Sequence, residues 1–130
     1  FAAWLLSNEP SSLSSFESLM DLLESAGHKW GGTKSETPSG AICVRTPKGF
    51  RYPLVFHTFS KATVEARFVD YKKEDFVDEL VIFFEDIEGI NVEAIRSNDY
   101  GAKPKIDVAR VDDPIVSKAL LDMCSRVAKG

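Results

Sequence analysis

Three short stretches of alternating apolar and polar residues follow one another in the middle of the chain, at residues 41–46, 50–59 and 63–71. The turns that separate them contain only a few residues, among them Pro47, Lys48 and Gly49 in the first and Ser60 and Lys61 in the second. Connections this short join antiparallel neighbours. The sequence therefore predicts an antiparallel β-meander.

Pro53 lies inside the second of these predicted strands. Proline has no N–H group to donate to a neighbouring strand, so it is confined to bulges and to edge strands. We therefore expect this strand either to be bulged at Pro53 or to lie at the edge of the sheet.

Apolar residues at helical spacing predict three helices around the meander. The first covers residues 14–26, with Ser14 and Glu17 at capping-box spacing and Gly27 as its stop. The second covers residues 74–88 and stops at Gly89, and the third begins with Asp113 as N-cap and Pro114 at the first helical position. Residues 28–40 are predicted to form a loop or a short irregular hairpin that carries Trp30, and residues 90–96 and 106–111 are predicted to be extended.

These elements follow in the order α-β-β-β-α-β-β-α. Strands grouped together, rather than alternating with helices, favour an α+β fold with a mainly antiparallel sheet and helices packed on one face. The chain has 130 residues, of which 44% are hydrophobic and 28% charged, as in a globular domain. We expect a single α+β domain over residues 1–130, with residues 1–10 as the candidate end of a longer upstream segment.

Two features bear on localisation. No apolar run approaches the roughly 18 residues that span a bilayer, and residues 1–6 lack the basic start and the cleavage pattern of a signal peptide. Cys43 and Cys124 are predicted to be buried reduced thiols, because nothing else indicates a secreted chain. We expect a cytoplasmic protein that does not contact membranes.

Charge is distributed unevenly along the chain. The net charge is -4, yet residues 45–73 contain seven basic and two acidic residues. If Ile42, Val44, Leu54, Phe56, Val64, Ala66 and Phe68 face the core, uninterrupted alternation places Arg45, Arg51, His57, Glu65 and Arg67 on the opposite face. Such a face is either an ordinary solvated surface or a basic surface that binds an anion.

The predicted second helix carries seven acidic residues and no basic one. It is either an ordinary solvated face or a surface for a basic partner, and any apolar part left uncovered would be a dimer contact.

An enzymatic alternative is a metal-dependent nuclease. A helix, a three-stranded meander and a second helix follow in the order found in restriction-type nucleases, and Glu65, Asp70 and Lys72 would be its catalytic residues. The signal is weak, because the preceding strand lacks the usual acidic residue and Arg67 stands where a lysine is expected.

No other motif points to chemistry. There is no phosphate-binding glycine loop and no nucleophile elbow, and His28 and His57 are too few for a zinc site. We therefore expect no cofactor and no metal. The leading hypothesis is a non-catalytic binding or accessory domain that engages an anionic ligand or a protein partner through Arg45, Arg51, His57 and Arg67, with self-association and weak binding of nucleic acid or a phosphorylated ligand as further possibilities.

Overall fold

The structure is a computed structural model that describes residues 1–33 and 35–130. Within these ranges the strands are β1 (Lys29–Gly32), β2 (Gly40–Thr46), β3 (Gly49–His57), β4 (Thr63–Ala66) and β5 (Lys105–Asp107). The α-helices are α1 (Ala2–Asn8), α2 (Leu13–Ser25), α3 (Val77–Ile82), α4 (Val92–Ser97) and α5 (Pro114–Lys129). Short 3-10 helices cover Pro10–Ser12, Phe68–Tyr71 and Val108–Arg110.

The five strands form one antiparallel sheet in the order β1-β2-β3-β4-β5, so that each strand pairs with its neighbours along the chain. Helix α5 packs against β2 and β3, and α2 packs against β1. The residues that face these helices are fully buried, among them Ile42, Val44, Leu54 and Phe56. The predicted α+β fold, with a meander at its centre and flanking helices, is confirmed.

Strand β1 lies in the segment predicted as a loop or a short hairpin. It pairs with β2, with Trp30 opposite Ile42, and the Trp30 ring lies 5.2 Å from the rings of both Phe16 and Phe56. The indole also covers Gly40, where an added Cβ would lie 2.2 Å from ring atoms. Gly40 therefore gives Trp30 the room to pack into the core.

A bulge interrupts β3 at Pro53. Ile42 pairs with Leu54 but Val44 pairs with Arg51, so that Tyr52 and Pro53 together lie opposite Cys43. Of the two predicted alternatives, the bulge is confirmed and the edge position is wrong, because β3 is the central strand. The extra residue reverses the alternation, since a bulge shifts every following side chain to the other face.

Several predicted bounds are wrong. Residues 90–96 were expected to be extended, but α4 occupies most of this segment, because Asn91 Oδ1 caps it by accepting from the Ala94 N–H at 3.0 Å. The strand predicted for residues 63–71 ends at Ala66 and continues as a 3-10 helix. Of the helix predicted for residues 74–88, only Val77–Ile82 is α-helical, and β5 covers three residues before a 3-10 helix begins.

Other local expectations hold in part. Gly27 follows α2 with a φ of 89°, in the left-handed region. The predicted capping box at Ser14 and Glu17 is wrong, because α2 begins at Leu13 with Ser12 as its N-cap, and no side chain caps it. Asp113 caps α5, accepting from the Ile115 N–H at 2.9 Å. Both cysteines are free, but only Cys124 is buried as expected, which raises the pKa of its thiol; the expectation is wrong for Cys43, which is half-buried. Among the described residues, no helix combines the length and the apolarity needed to cross a membrane.

Candidate functional site

The sheet has a second face, turned away from α2 and α5, which we call the outer face. Register pairs assign its residues: Lys29 lies opposite Cys43, Arg45 opposite Phe50, and Glu65 opposite Lys105. Lys29, Arg45, Phe50 and Lys105 are exposed, in contrast to the fully buried side chains of the opposite face. The outer face is therefore available to a ligand.

Exposed aromatic rings concentrate on or beside the central strand. The side chains of Phe50, Tyr52 and Phe59 are 63%, 53% and 65% exposed, and no other aromatic residue in the described ranges belongs to the exposed class. Phe59 stacks on His57 with a centroid distance of 5.1 Å, and Lys105 Nζ lies 5.7 Å from the Phe59 centroid. Accessible rings thus lie near both ends of β3, with Phe50 and Tyr52 beside the β2–β3 turn and Phe59 just beyond His57.

A hollow of about 470 Å³ lies over the β1–β2 side of the outer face. Its walls are Lys29, Arg45, Phe50 and Cys43, and Gly27 closes one end. Within the described ranges, neither Lys29 nor Arg45 has an ion-pair partner. The hollow therefore combines two uncompensated cations with one aromatic wall.

On the other side of β3, a buried carboxylate is held by two basic side chains. Glu65 is 4% exposed, with Oε2 at 2.8 Å from Arg67 Nη1 and Oε1 at 3.5 Å from His57 Nε2. Arg67 also donates to Asp70 from Nε at 3.2 Å and from Nη2 at 3.3 Å. These hydrogen bonds to Asp70 and Glu65 raise the pKa of Arg67. Arg67 is therefore neutralised by the protein itself.

Arg51 lies on the core face, at the end of the sheet, and not on the outer face. It pairs with the buried Val44, and its guanidinium carbon lies 4.4 Å from the centroid of the buried Tyr71 ring. Nη2 donates to the Asp70 carbonyl at 2.9 Å, and Nη1 lies 3.3 Å from Glu74 Oε1. The expectation that Arg45, Arg51 and Arg67 share one surface is wrong, because the Pro53 bulge reverses the alternation between Leu54 and Arg51.

The residues of the nuclease hypothesis do not converge on an open cation site. The Arg67 guanidinium lies between the carboxylates of Glu65 and Asp70, and Lys72 Nζ lies 3.3 Å from Asp99 Oδ2. In the described part of the chain, no group of three or more His, Cys, Asp and Glu residues could hold a metal ion. The geometry gives this hypothesis no support.

Sequence reasoning missed the aromatic part of the outer face. Uninterrupted alternation from Leu54 and Phe56 places Phe50 and Tyr52 in the core, whereas the bulge places them outside. Pro53 was the signal that could have found them. The outer positions of Lys29 and Lys105 follow from the pairing of β1 with β2 and of β5 with β4. The sequences of such short strands do not predict this pairing.

Comparison with known proteins gives no relative: no family model, no curated protein and no solved structure matches this chain.

Proposed function

We propose that this chain is a non-catalytic binding domain that holds single-stranded nucleic acid on the outer face of its sheet. The single observation that carries the proposal is the hollow that is lined by Lys29, Arg45 and the exposed Phe50 ring. A nucleotide presents a phosphate and a flat base, and this hollow offers cations for the first and an aromatic face for the second.

The three exposed rings support binding of a single strand rather than a duplex. Proteins that bind single strands stack successive bases on aromatic side chains, and every base has a face that can stack. Paired bases in a duplex are already stacked on one another and cannot lie flat on Phe50, Tyr52 or Phe59. We therefore expect a preference for unpaired bases.

The charge of the outer face supports an anionic ligand although the whole chain is acidic. The carboxylates beside the sheet are occupied: Glu65 and Asp70 contact Arg67, and Asp107 Oδ1 lies 3.0 Å from Lys61 Nζ. Within the described ranges, Lys29, Arg45 and Lys105 form no ion pair. Because the acidic residues of α3 and the turns after it repel a phosphate backbone, we expect weak binding, with a Kd of about 10⁻⁵ M at low salt.

The test is fluorescence anisotropy of a labelled oligouridylate of about 12 nucleotides, with the duplex of the same length measured in parallel. Lys29→Glu with Arg45→Glu is expected to weaken binding at least about tenfold and to flatten the salt dependence, because each lost phosphate contact lowers the slope. Lys73→Glu with Lys118→Glu is the matched control: it makes the same change in net charge at exposed positions outside the outer face.

Measured at about 0.1 M salt, the control pair is expected to retain binding within about threefold, because charges more than about 10 Å from the bound strand are then largely screened. Equal loss in both double variants would contradict the proposal, since only net charge would then matter. Equally tight binding of the duplex, or of polyaspartate, would also overturn it, because neither ligand offers free bases.

A further inference from the structure

We propose that a second cavity, built around Arg51, binds a small molecule with one anionic head group and a compact apolar body. The cavity has a volume of about 280 Å³ and lies between the β2–β3 turn and the end of α5. None of its residues lines the hollow on the outer face, so this inference does not depend on the proposed function.

The rim of the cavity is cationic. Lys48, Arg51 and Lys129 line it together with one acidic side chain, that of Glu74. Glu74 contacts Arg51 at 3.3 Å, whereas Lys48 and Lys129 have no ion-pair partner in the described part of the chain. The rim therefore has excess positive charge that an anionic head group would neutralise.

Arg51 is held in a fixed orientation. Its guanidinium stacks over Tyr71 at 4.4 Å, and Nη2 donates to the Asp70 carbonyl at 2.9 Å. Burial raises the pKa of Tyr71, so this phenol stays neutral beside the guanidinium. A planar cation that is already oriented loses little side-chain freedom when it receives an anion.

The turn that forms one wall is also rigid. Thr46 Oγ1 accepts from the Lys48 N–H at 3.2 Å and donates to the Gly49 carbonyl at 2.8 Å. Gly49 has a φ of 121°, which lies in the region that favours glycine. The backbone of Lys48 is therefore set in place before any ligand binds.

The floor is apolar. Phe76 and Val127 are both buried core residues that line the cavity, and Pro47 adds an apolar wall. Arg126 fixes Phe76 by stacking 4.3 Å from its centroid while its Nε donates to Glu79 at 2.8 Å. Ligand pockets combine an apolar lining with a few polar groups that fix orientation, and a volume at the small end of their range suits a compact ligand.

The opposite end of the cavity is formed by the last turn of α5, whose carbonyl groups would repel an anion. Arg126 Nη1 donates to the Gly130 carbonyl at 3.2 Å, and Lys129 lies beside it. Arg126 thereby offsets part of the negative end of the helix, and Lys129 adds a further cation to the rim. The remaining carbonyl groups favour the Lys48 and Arg51 side for the anionic head group.

The experiment is an NMR titration with 3-phenylpropionate, followed through the amides of the β2–β3 turn, the Phe76 ring and the Val127 methyl groups. Two further probes separate the contributions to binding: 3-phenylpropanol has the apolar body without the charge, and acetate has the anionic head group without the apolar body. We expect 3-phenylpropionate to shift all three groups of signals, and both other probes to bind at least about tenfold more weakly, because each lacks one of the two interactions.

Lys48→Glu with Lys129→Glu is expected to weaken the binding of 3-phenylpropionate at least about tenfold, because both unpaired cations are lost. Lys103→Glu with Lys118→Glu makes the same change in net charge at exposed positions outside the cavity and should leave the affinity for 3-phenylpropionate unchanged. The inference would be overturned if 3-phenylpropanol bound as tightly as 3-phenylpropionate, or if acetate shifted the same signals to the same extent. Shifts that map outside the cavity, or a double variant that binds 3-phenylpropionate as the wild type does, would also overturn it.

Discussion

Arg67 Nη1 donates to Glu65 Oε2 at 2.8 Å, and this contact accounts for a carboxylate on the outer face that is only 4% exposed. A buried carboxylate without a partner costs several kcal/mol, because it loses its hydration and gains nothing in return. Arg67 and His57 together cover Glu65 and supply that compensation.

The first prediction concerns this pair. Arg67→Ala is expected to lower the free energy of unfolding by about 2 kcal/mol, somewhat less than for a fully buried pair, because the Arg67 side chain is 26% exposed. Glu65→Gln with Arg67→Ala should cost less than the sum of the two single variants. Urea denaturation measures all three.

Lys118→Ala is the control, since the Lys118–Asp122 pair lies within α5 on an exposed surface and should contribute less than about 1 kcal/mol. A loss in Arg67→Ala no greater than that in Lys118→Ala would show that Glu65 does not depend on its cation.

The second prediction concerns Gly40. Gly40→Ala is expected to lower the free energy of unfolding by about 2 kcal/mol, because the new Cβ would lie 2.2 Å from the Trp30 ring and displace it from the core. Gly31→Ala is the control in the same pair of strands, with no neighbour within 4 Å of its added Cβ, and should be neutral or slightly stabilising. Thermal denaturation of both variants checks this. Equal stability would mean that Trp30 does not pack over Gly40.

The third prediction concerns His28, which is 5% exposed, with Nε2 at 3.4 Å from Ser125 Oγ. Burial lowers its pKa below the ordinary value of 6.5. The unfolded chain therefore binds a proton more readily than the folded one, and the free energy of unfolding should fall as the pH decreases through about 6.5.

Denaturation of the wild type and of His28→Gln between about pH 7.5 and 5.5 tests this, because glutamine cannot titrate. The wild type is expected to lose more stability than the variant over this interval. If the free energy of unfolding fell equally with pH in the wild type and in His28→Gln, the lowered pKa of His28 would not be the cause.

The fourth prediction isolates the aromatic contribution to binding. Phe50→Ala is expected to weaken the binding of the oligouridylate about tenfold, because stacking of one base on an aromatic side chain contributes about 1–3 kcal/mol. The stability should change little, because the ring is 63% exposed. Ile115→Ala removes a comparably exposed apolar side chain from α5 and should leave affinity intact. An unchanged affinity in Phe50→Ala would show that no base stacks on the Phe50 ring.

Local signals in the sequence were sufficient for the class of fold and for several helix ends. Short turns predicted the meander, and Asp113, Pro114 and Gly27 marked helix ends that the structure has. They were insufficient for α4, which begins after the cap Asn91 in a segment that was predicted to be extended. Strands β1 and β5, with four and three residues, depend on pairing with β2 and β4, and no local pattern reveals such partners.

The candidate site depended on one residue of register. Pro53 indicated a bulge, but faces were assigned by uninterrupted alternation, and a shift of one residue moves a side chain through the sheet. Arg51 was therefore expected outside and Phe50 inside, and the structure has the reverse. No bulge separates Arg45 from Val44 or His57 from Phe56. The outer positions of Arg45 and His57 were therefore predicted correctly.

The most direct test of the central claim is an amide NMR titration with unlabelled oligouridylate, because it reports which face of the sheet the ligand contacts. The predicted result is a set of shifts confined to the outer face, at Lys29, Cys43, Arg45, Phe50, Tyr52, His57, Phe59 and Lys105. Shifts that map to α3 and α5 instead, or spectra that do not change at millimolar oligonucleotide, would contradict it.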